Sequence, residues 1–335
     1  AAARSRLAFY RGGVLPVERV SVPVLSVGNI TAGGTGKTPL VEWLARAAAG
    51  EGRRVCILTR GYGRADASRR VVVSDGERVL ADAREGGDEP LLLAESLRGL
   101  AAVVSDADRV AAARWAIEKL RSEVFVLDDG FQHLRIARDL NILTLDATDP
   151  WGGAKLLPRG RLREPLGGMK RADLIVITRA ELCGDIEALR ARAETLSGGR
   201  PVLVARTVTL GVKPLASEAT AKLLETNSLP QPLAAFCAVG NPQAFFAHAR
   251  KEGLTLSYTR AFPDHHVYKQ SDADDCVREA ARHGARGFLT TPKDAVKLRA
   301  LDFALPCYVL EIALRFDDEQ RMRAVVRETI SRGGL

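Results

Sequence analysis

Short apolar runs alternate with longer amphipathic stretches along most of this 335-residue chain. The runs are continuous in Val, Ile and Leu, which is typical of strands buried on both faces. Good helix formers fill several of the gaps, and this rhythm predicts a mostly parallel, doubly wound α/β sheet. The expected strands are Val22–Gly28, Arg54–Arg60, Ala101–Asp106, Glu123–Asp129, Leu140–Asp146, Ala172–Thr178 and Pro201–Thr207.

The pattern weakens between Gly211 and Pro232, and a second series of strands and helices follows. We expect strands from Pro232 and from Thr255, with helices near Pro242 and Ala273. This series predicts a second, smaller α/β domain that begins near residue 215.

Composition narrows the possible classes of protein. Hydrophobic residues make up 46% of the chain, and no apolar run reaches the roughly 18 residues that a membrane span needs. The five cysteines are scattered without a C-x-x-C pair, which excludes the usual zinc spacings and predicts reduced thiols in a cytoplasm. A net charge of +8 predicts an anionic partner, although a generally basic proteome gives the same balance.

The first 20 residues mix arginines with large apolar side chains (Arg4, Arg6, Leu7, Phe9, Tyr10, Arg11 and Val14). Such a segment can lie in a lipid headgroup layer, or it can be a frayed terminus. Aromatic residues are only 5% of the chain and do not interleave with the basic residues, so we expect no nucleic-acid partner.

A glycine-rich stretch, SVGNITAGGTGKTP, connects the first expected strand to the first expected helix. It departs from G-x-x-x-x-G-K-[ST] because Thr31 stands where the pattern has glycine, and we expect Gly28 to supply the tight bend. Backbone N–H groups at a helix start can hold a phosphate, Lys37 would reach the β/γ-phosphates, and Thr38 would contact Mg²⁺. The alternative is a glycine-rich turn without a ligand. The predicted nucleotide-binding residues are Thr31, Ala32, Gly33, Gly34, Thr35, Gly36, Lys37 and Thr38.

Two acidic residues, Asp128 and Asp129, follow four apolar residues in VFVLDDGFQH. A phosphate loop needs a metal partner of this kind, and one carboxylate would hold Mg²⁺ while the other orients a neighbour such as His133. The alternative is a solvated acidic pair at the end of a strand.

A basic segment, LLPRGRLREP, places Arg159, Arg161 and Arg163 at alternate positions. In an extended segment they would project to one side and neutralise phosphate charge, with Glu164 as a second metal contact. A solvated basic loop is the alternative.

Two further spots have simpler explanations when taken alone. Asp88 in GGDEP is expected to be the N-cap of a helix. Asp264, His265 and His266 in FPDHH are expected to form a turn, with a metal site as the weaker alternative.

Together, these segments resemble the tetraacyldisaccharide 4′-kinase (lipid A 4′-kinase) family. The resemblance rests on TAGGTGKTP, RGYGR, GDEP, DDGFQH, PRGRLREP, FPDHH and TTPKDAVKL in this order. The resemblance implies that threonine instead of glycine at position 31 of the phosphate-loop pattern is a trait of the family. It implies Mg²⁺-dependent transfer of the ATP γ-phosphoryl group to the 4′-hydroxyl of a tetraacylated glucosamine disaccharide 1-phosphate, in lipid A biosynthesis.

The resemblance also implies roles for individual residues. Asp88 and His265 would form a catalytic dyad that handles the hydroxyl proton, with Asp264 and His133 in support. The magnesium and nucleotide contacts would fall on Thr38, Asp128, Asp129, Glu164 and Arg163.

The implied fold is a P-loop NTPase-like core with a smaller α/β domain, joined by two linker strands at Arg206–Val212 and Tyr308–Leu314. We expect a basic membrane-proximal segment (1–20), the core domain (21–214), the smaller domain (215–306), and a strand and helix that return to the core (307–335). The resemblance places the enzyme at the cytoplasmic face of the inner membrane of Gram-negative bacteria. Its partners would be a glycolipid substrate and an anionic membrane surface, and we expect a monomer.

The main rival is a deviant Walker A nucleotide-switch ATPase at the membrane surface. Its signature lysine before the glycine pair is replaced here by Ala32. This rival also leaves the PRGRLREP and FPDHH segments without a role.

Overall fold

The computed structural model describes residues 9–10, 12–217 and 221–332. They form two compact units: the first contains residues up to Arg206 together with those from Leu314, and the second is Thr207–Ala313. The strands are β1 (Val24–Gly28), β2 (Val55–Thr59), β3 (Val71–Ser74), β4 (Ala101–Ser105), β5 (Val124–Leu127), β6 (Leu140–Asp146), β7 (Leu174–Thr178), β8 (Val202–Pro214), β9 (Leu233–Cys237), β10 (Leu256–Ala261), β11 (Phe288–Thr290) and β12 (Cys307–Phe316).

The helices alternate with these strands, as the sequence pattern predicts. They are α1 (Lys37–Gly50), α2 (Ala83–Gly86), α3 (Asp88–Ser96), α4 (Arg109–Leu120), α5 (Ile186–Ser197), α6 (Pro242–Lys251), α7 (Gln270–Arg282), α8 (Pro292–Leu298) and α9 (Glu319–Arg332). Short 3₁₀ helices lie at Gly152–Ala154, Leu166–Arg171, Ala180–Leu182 and Thr226–Ser228.

The sheet of the first unit has the strand order β8-β7-β6-β1-β5-β2-β4-β3. Its neighbouring strands run parallel, except that β3 pairs with β4 in the antiparallel sense at the edge. The central strand β1 therefore lies between β5 and β6, and its carboxyl end leads into the glycine-rich stretch.

Apolar side chains cover both faces of this sheet, because successive residues of a strand point to opposite sides. Ile57 and Val126 join one buried cluster with α1, α3 and α9. Leu58 and Phe125 join another with α4. Helices on both faces confirm the predicted doubly wound α/β class.

The sheet of the second unit has the order β10-β9-β11-β12, with its strands parallel. Its two faces are again apolar, with Phe236 in one cluster and Cys237 in the other. Helix α6 begins where the Asn241 side chain accepts from the backbone N–H of Ala244 at 3.2 Å and Pro242 occupies the first turn.

Two strands differ from the sequence-based expectation. The edge strand β3 was not predicted, because its four residues carry no strong signal beyond a short run of valine. Strand β8 runs unbroken from Val202 to Pro214, so the expected strand Pro201–Thr207 and the expected linker strand Arg206–Val212 form one continuous element.

Residues 1–8 and 11 of the expected membrane-proximal segment lie outside the described residues, and these include Arg4, Arg6, Leu7 and Arg11. Among its described apolar residues, Phe9, Val14 and Val17 are 51%, 68% and 53% exposed, whereas Val20 is buried. None of the described helices is both long enough and apolar enough to cross a bilayer.

Candidate active site

The glycine-rich stretch forms a loop between β1 and α1. Gly33 (φ 110°) and Gly36 (φ 72°) adopt left-handed backbone conformations that favour glycine. Gly28 has a different role from the expected bend, because its φ is not in this region. A side chain there would place a Cβ atom 2.6 Å from Cβ of Phe131, so glycine is needed for space.

Hydrogen bonds among three threonines connect the loop to strands β6 and β7. The Thr35 hydroxyl accepts from the Asn29 side chain at 2.9 Å and lies 2.9 Å from the Thr144 hydroxyl. Thr178 donates its hydroxyl to the Thr35 carbonyl at 2.9 Å. Sequence reasoning missed Thr144 and Thr178, which look like ordinary strand residues until β6 and β7 are placed beside β1.

The basic segment holds the outer edge of the loop. The Ala32 N–H donates to the Arg161 carbonyl at 2.6 Å, and the Arg163 N–H donates to the Ile30 carbonyl at 2.7 Å. Among the described residues, the N–H groups of Gly33 to Gly36 donate to no backbone carbonyl. Buried backbone donors are normally paired, so these consecutive groups are available to an anion whereas that of Ala32 is engaged.

Asp128 directly follows β5 and is 2% exposed. Its Oδ2 accepts from the Thr59 hydroxyl at 3.3 Å, while its Oδ1 is buried without a hydrogen-bond partner among the described residues. Burial, reinforced by the nearby Glu89 and Asp129 carboxylates, raises the pKa of Asp128 to about 7.

Asp129 is in a different electrostatic environment. Its backbone is left-handed (φ 50°), and its carboxylate lies 2.8 Å from Nη1 of Arg163 and 3.5 Å from Nζ of Lys37. Burial alone would raise the pKa of Asp129, but Lys37 and Arg163 outweigh it and hold the pKa below its usual value. The structure thus brings together the predicted Lys37, Arg163 and acidic pair.

Arg109, the first residue of α4, was missed by sequence reasoning. It is 5% exposed, and burial lowers the pKa of its guanidinium while the Asp128 and Asp129 carboxylates oppose this shift. Because Asp128 and Asp129 both act on its charge, we include Arg109 in the candidate site. The sequence carried one signal that could have identified Arg109. It follows shortly after β4, and the carboxyl end of β4 lies at the same end of the parallel sheet as the phosphate loop.

Glu164 is already engaged within the chain. Arg171 donates to its two carboxylate oxygens at 2.6 and 2.9 Å, and the Gln132 side chain donates to it at 2.9 Å. Gln132 also donates to the Asn29 carbonyl at 2.7 Å, which links Glu164 to the phosphate loop. The predicted contact of Glu164 with a metal stays a prediction.

His133 lies in the turn that follows the acidic pair. Its N–H donates to the Gly130 carbonyl at 2.9 Å, and its carbonyl accepts from Arg138. These contacts fix its backbone, and a role in orienting the acidic pair stays a prediction.

The three alternating arginines have different surroundings. Arg163 reaches Asp129, and Arg161 forms an ion pair with Asp149. Arg159 lies in a turn, where its N–H donates to the Leu156 carbonyl at 3.0 Å. Residues 157–159 form a turn, so the segment is not an extended strand, and a common side for the three arginines stays a prediction.

Asp88 is not an N-cap. The N-cap of α3 is Gly87 (φ 104°), and Asp88 is the first residue inside the helix. Asp88 is 7% exposed, and its Oδ1 accepts from the Glu89 N–H at 2.9 Å. A buried carboxylate at this end of a helix is stabilised by the helix dipole.

In the second unit, His265 also has a left-handed backbone (φ 61°). Oδ1 of Asp264 accepts from the His265 N–H at 3.1 Å and from Nζ of Lys293 at 3.0 Å. Oδ2 of Asp264 lies 3.8 Å from Nε2 of His265, which is beyond hydrogen-bond distance. Asp264, which was predicted to support His265, therefore also forms an ion pair with Lys293.

Neighbouring aromatic and acidic residues anchor this turn. The Tyr268 hydroxyl donates at 3.0 Å to the fully buried Asp294, which also accepts from the Ala238 N–H at 3.1 Å. Nε2 of His266 lies 3.0 Å from Asp272, so His266 has a structural partner. The described residues contain no group of three or more His, Cys, Asp or Glu side chains that could hold a metal.

Comparison with known proteins gives consistent matches. A family model described as tetraacyldisaccharide-1-P 4′-kinase matches residues 1–331. A tetraacyldisaccharide 4′-kinase from Geobacter metallireducens is 42% identical over 297 residues, covering 89% of this chain and 85% of the relative. Another, from Geobacter sulfurreducens, is 39% identical and covers 98% and 89%. The crystal structure described as the "apo" form of LpxK from Aquifex aeolicus in complex with ATP matches with a TM-score of 0.75 at 30% identity, covering 98% of this chain and 95% of that one.

Proposed function

This chain belongs to the tetraacyldisaccharide 4′-kinase family, and we propose that it transfers the γ-phosphoryl group of ATP to the 4′-hydroxyl of a tetraacylated glucosamine disaccharide 1-phosphate in lipid A biosynthesis. The observation that carries this proposal is the pairing of Lys37 and Arg163 with Asp129, beside Asp128, at the mouth of the phosphate loop. Such sites position a nucleotide and neutralise its charge.

The residues present fit Mg²⁺. Asp128 offers a buried carboxylate oxygen without a hydrogen-bond partner among the described residues, whereas the Asp129 oxygens face two cations. We therefore assign the metal contact to Asp128, with the Thr38 hydroxyl as the second protein contact. Mg²⁺ usually keeps several waters and takes substrate phosphate oxygens, so few protein ligands suffice.

Bound Mg–ATP supplies the transferable phosphoryl group. The residues of the chain position that group and balance its charge: Lys37 and Arg163 face the phosphates, and buried Arg109 adds a third positive charge. Because phosphoryl transfer has a loose transition state, positioning and charge neutralisation carry most of the catalysis.

The acceptor proton needs a base. We propose that Asp88 and His265 share this role, with Asp264 in support of His265. Asp88 is a buried carboxylate, and the left-handed backbone of His265 is fixed by its N–H bond to Asp264. A positioned base contributes about 10²–10⁴-fold to rate.

We further propose that the enzyme works as a monomer at the cytoplasmic face of the inner membrane of a Gram-negative bacterium. The net charge of +8 supports an anionic surface as its partner. The switch ATPase is not favoured, because Ala32 replaces its lysine and the family match extends over residues 1–331.

The test is transfer of labelled γ-phosphate from ATP to a tetraacylated disaccharide 1-phosphate in detergent micelles, with and without Mg²⁺. We expect magnesium-dependent label in the lipid. Asp88→Asn and His265→Asn should each lower turnover by about 10²-fold or more. Asp82→Asn and His283→Asn are matched controls, because Asn keeps the cap of α2 and His283 is exposed. Label released only as free phosphate, with or without lipid, would contradict the kinase.

A further inference from the structure

Residues 153–159 form an exposed turn that the catalytic site does not use. All seven residues are exposed, including the adjacent leucines Leu156 (41%) and Leu157 (55%). Lys155 precedes the leucines and Arg159 follows them. We call this segment, GAKLLPR, the leucine loop.

The leucine loop is folded rather than frayed. The Leu157 N–H donates to the Leu162 carbonyl at 2.9 Å, and the Leu162 N–H donates to the Lys155 carbonyl at 3.0 Å. Leu162 is 3% exposed and packs in a core cluster with Ile30 and Phe131. The two leucines are therefore presented to solvent by a turn whose base is buried.

The charge around the leucines is positive. Lys155 and Arg159 flank them, while the nearby acid Asp149 is already paired with Arg161. Other exposed leucines, such as Leu80 (53%), occur singly, and single exposed apolar residues need no explanation. An adjacent apolar pair between two cations is complementary to an anionic bilayer, which is apolar beneath a negative surface.

We propose that the leucine loop is a membrane-docking element that inserts Leu156 and Leu157 among anionic phospholipids while Lys155 and Arg159 bind their phosphates. This inference rests on the proposed function, because an acceptor with four acyl chains resides in a bilayer. The segment after the loop is hydrogen-bonded to the phosphate loop through Arg161 and Ala32. Docking would therefore hold the phosphate loop at a fixed depth relative to the membrane surface.

The direct test places an environment-sensitive fluorophore on a cysteine at position 157, or at position 80 as the matched control. Both variants carry Cys183→Ser, because the other four cysteines are buried. With vesicles of phosphatidylglycerol and phosphatidylethanolamine, Leu157→Cys should show a blue shift and Leu80→Cys should not. No shift at 157, or equal shifts at both positions, would overturn the proposal.

A second measurement uses vesicle sedimentation of the full chain. Leu156→Ser/Leu157→Ser should weaken partitioning by about tenfold or more, since each half-exposed leucine loses its apolar transfer energy. Lys155→Gln/Arg159→Gln should weaken it by a similar factor on anionic vesicles and have little effect on phosphatidylcholine. Leu80→Ser should match the wild type. Unchanged partitioning of the double-leucine variant would overturn the proposal.

Two outcomes separate this inference from its rivals. The double-leucine variant should still transfer the phosphoryl group to an acceptor dispersed in micelles, because that assay needs no docking to a bilayer. If the wild type transfers no phosphoryl group in the same assay, the proposed kinase activity is refuted and the docking loop is not. If analytical ultracentrifugation shows that the wild type self-associates and the double-leucine variant does not, while vesicle binding is equal, the loop is instead a protein contact.

Discussion

Asp128→Asn should stabilise the first unit at pH 8 when magnesium and nucleotide are absent. The wild-type carboxylate is 2% exposed, close to Glu89 and Asp129, and has one oxygen without a hydrogen-bond partner among the described residues. Ionising such a group costs free energy that a bound cation would offset. Asparagine removes the charge and keeps nearly the same shape.

The magnitude follows from the pKa of Asp128, which is about 7 in the folded chain and about 3.9 in an unfolded one. A difference of about three units at about 1.4 kcal/mol each gives about 4 kcal/mol. The folded state binds this proton more tightly, so the wild type loses stability as pH rises from about 4 to about 7. Above pH 7 the loss is complete. Burying the amide costs about 1–3 kcal/mol, so the expected net gain of the variant at pH 8 is about 2 kcal/mol.

Asp129→Asn is the matched control, with the opposite sign. Lys37 and Arg163 hold the pKa of Asp129 below its usual value, so its ionised form stabilises the fold at neutral pH, and that stabilisation fades as pH falls through the folded pKa. The effect is reduced because the side chain is 37% exposed and water screens the pairs. Asparagine tolerates the left-handed backbone at this position, so loss of charge is the main change.

The assay is urea unfolding in EDTA between pH 4 and pH 8, followed by tryptophan fluorescence. Trp43, Trp115 and Trp151 all lie in the first unit, so this signal reports that unit. Relative to wild type, Asp128→Asn should gain stability as pH rises from 4 to 8, whereas Asp129→Asn should be destabilised by a nearly constant amount, because Asp129 is ionised in both the folded and the unfolded chain above about pH 5. The reasoning is refuted if Asp128→Asn and wild type differ in free energy of unfolding by the same amount at both ends of the pH range.

Three further predictions concern other parts of the chain. Gly28→Ala should lower the free energy of unfolding by about 1–3 kcal/mol in the same assay, because the new methyl meets Phe131; an unchanged midpoint would contradict this. Lys293→Met should lower kcat several-fold at constant KM for ATP, because Asp264 loses its cation, and Lys293→Arg should restore it; equal loss in both variants would refute a positioning role. A maleimide at pH 7.5 should label one thiol per native chain, that of Cys183, and five after denaturation, because burial raises the pKa of the other four; mass spectrometry showing two or more fast sites would contradict this.

The strands and the phosphate loop were predictable because their signals are local. Continuous apolar runs identify strands buried on both faces, and a lysine after glycines at a helix start identifies an anion cradle. Asp88 shows the limit of local patterns: taken alone it reads as an N-cap, but the helix begins one residue earlier than that reading requires.

The contacts that complete the site were not predictable, because they join residues far apart in the chain. Thr35 meets Thr144 and Thr178 only after β6 and β7 have been placed beside β1. The side chains of Lys293 and Asp264 pair across 29 positions, and nothing in either segment identifies its partner. A single sequence shows residue types but no pairings.

The discontinuity of the first unit constrains how a ribosome can deliver this protein. The ring of Phe316 packs 4.9 Å from that of Trp43 in α1, and Met322 of α9 lies in the same buried cluster. These partners are translated after the whole of the second unit, so the nascent chain must carry the uncovered face of α1 until late in synthesis. The second unit is continuous from Thr207 to Ala313 and can fold before the first is complete. A ribosome that stalls before Leu314 would thus leave an N-terminal unit with an exposed apolar face, which is a substrate for chaperones.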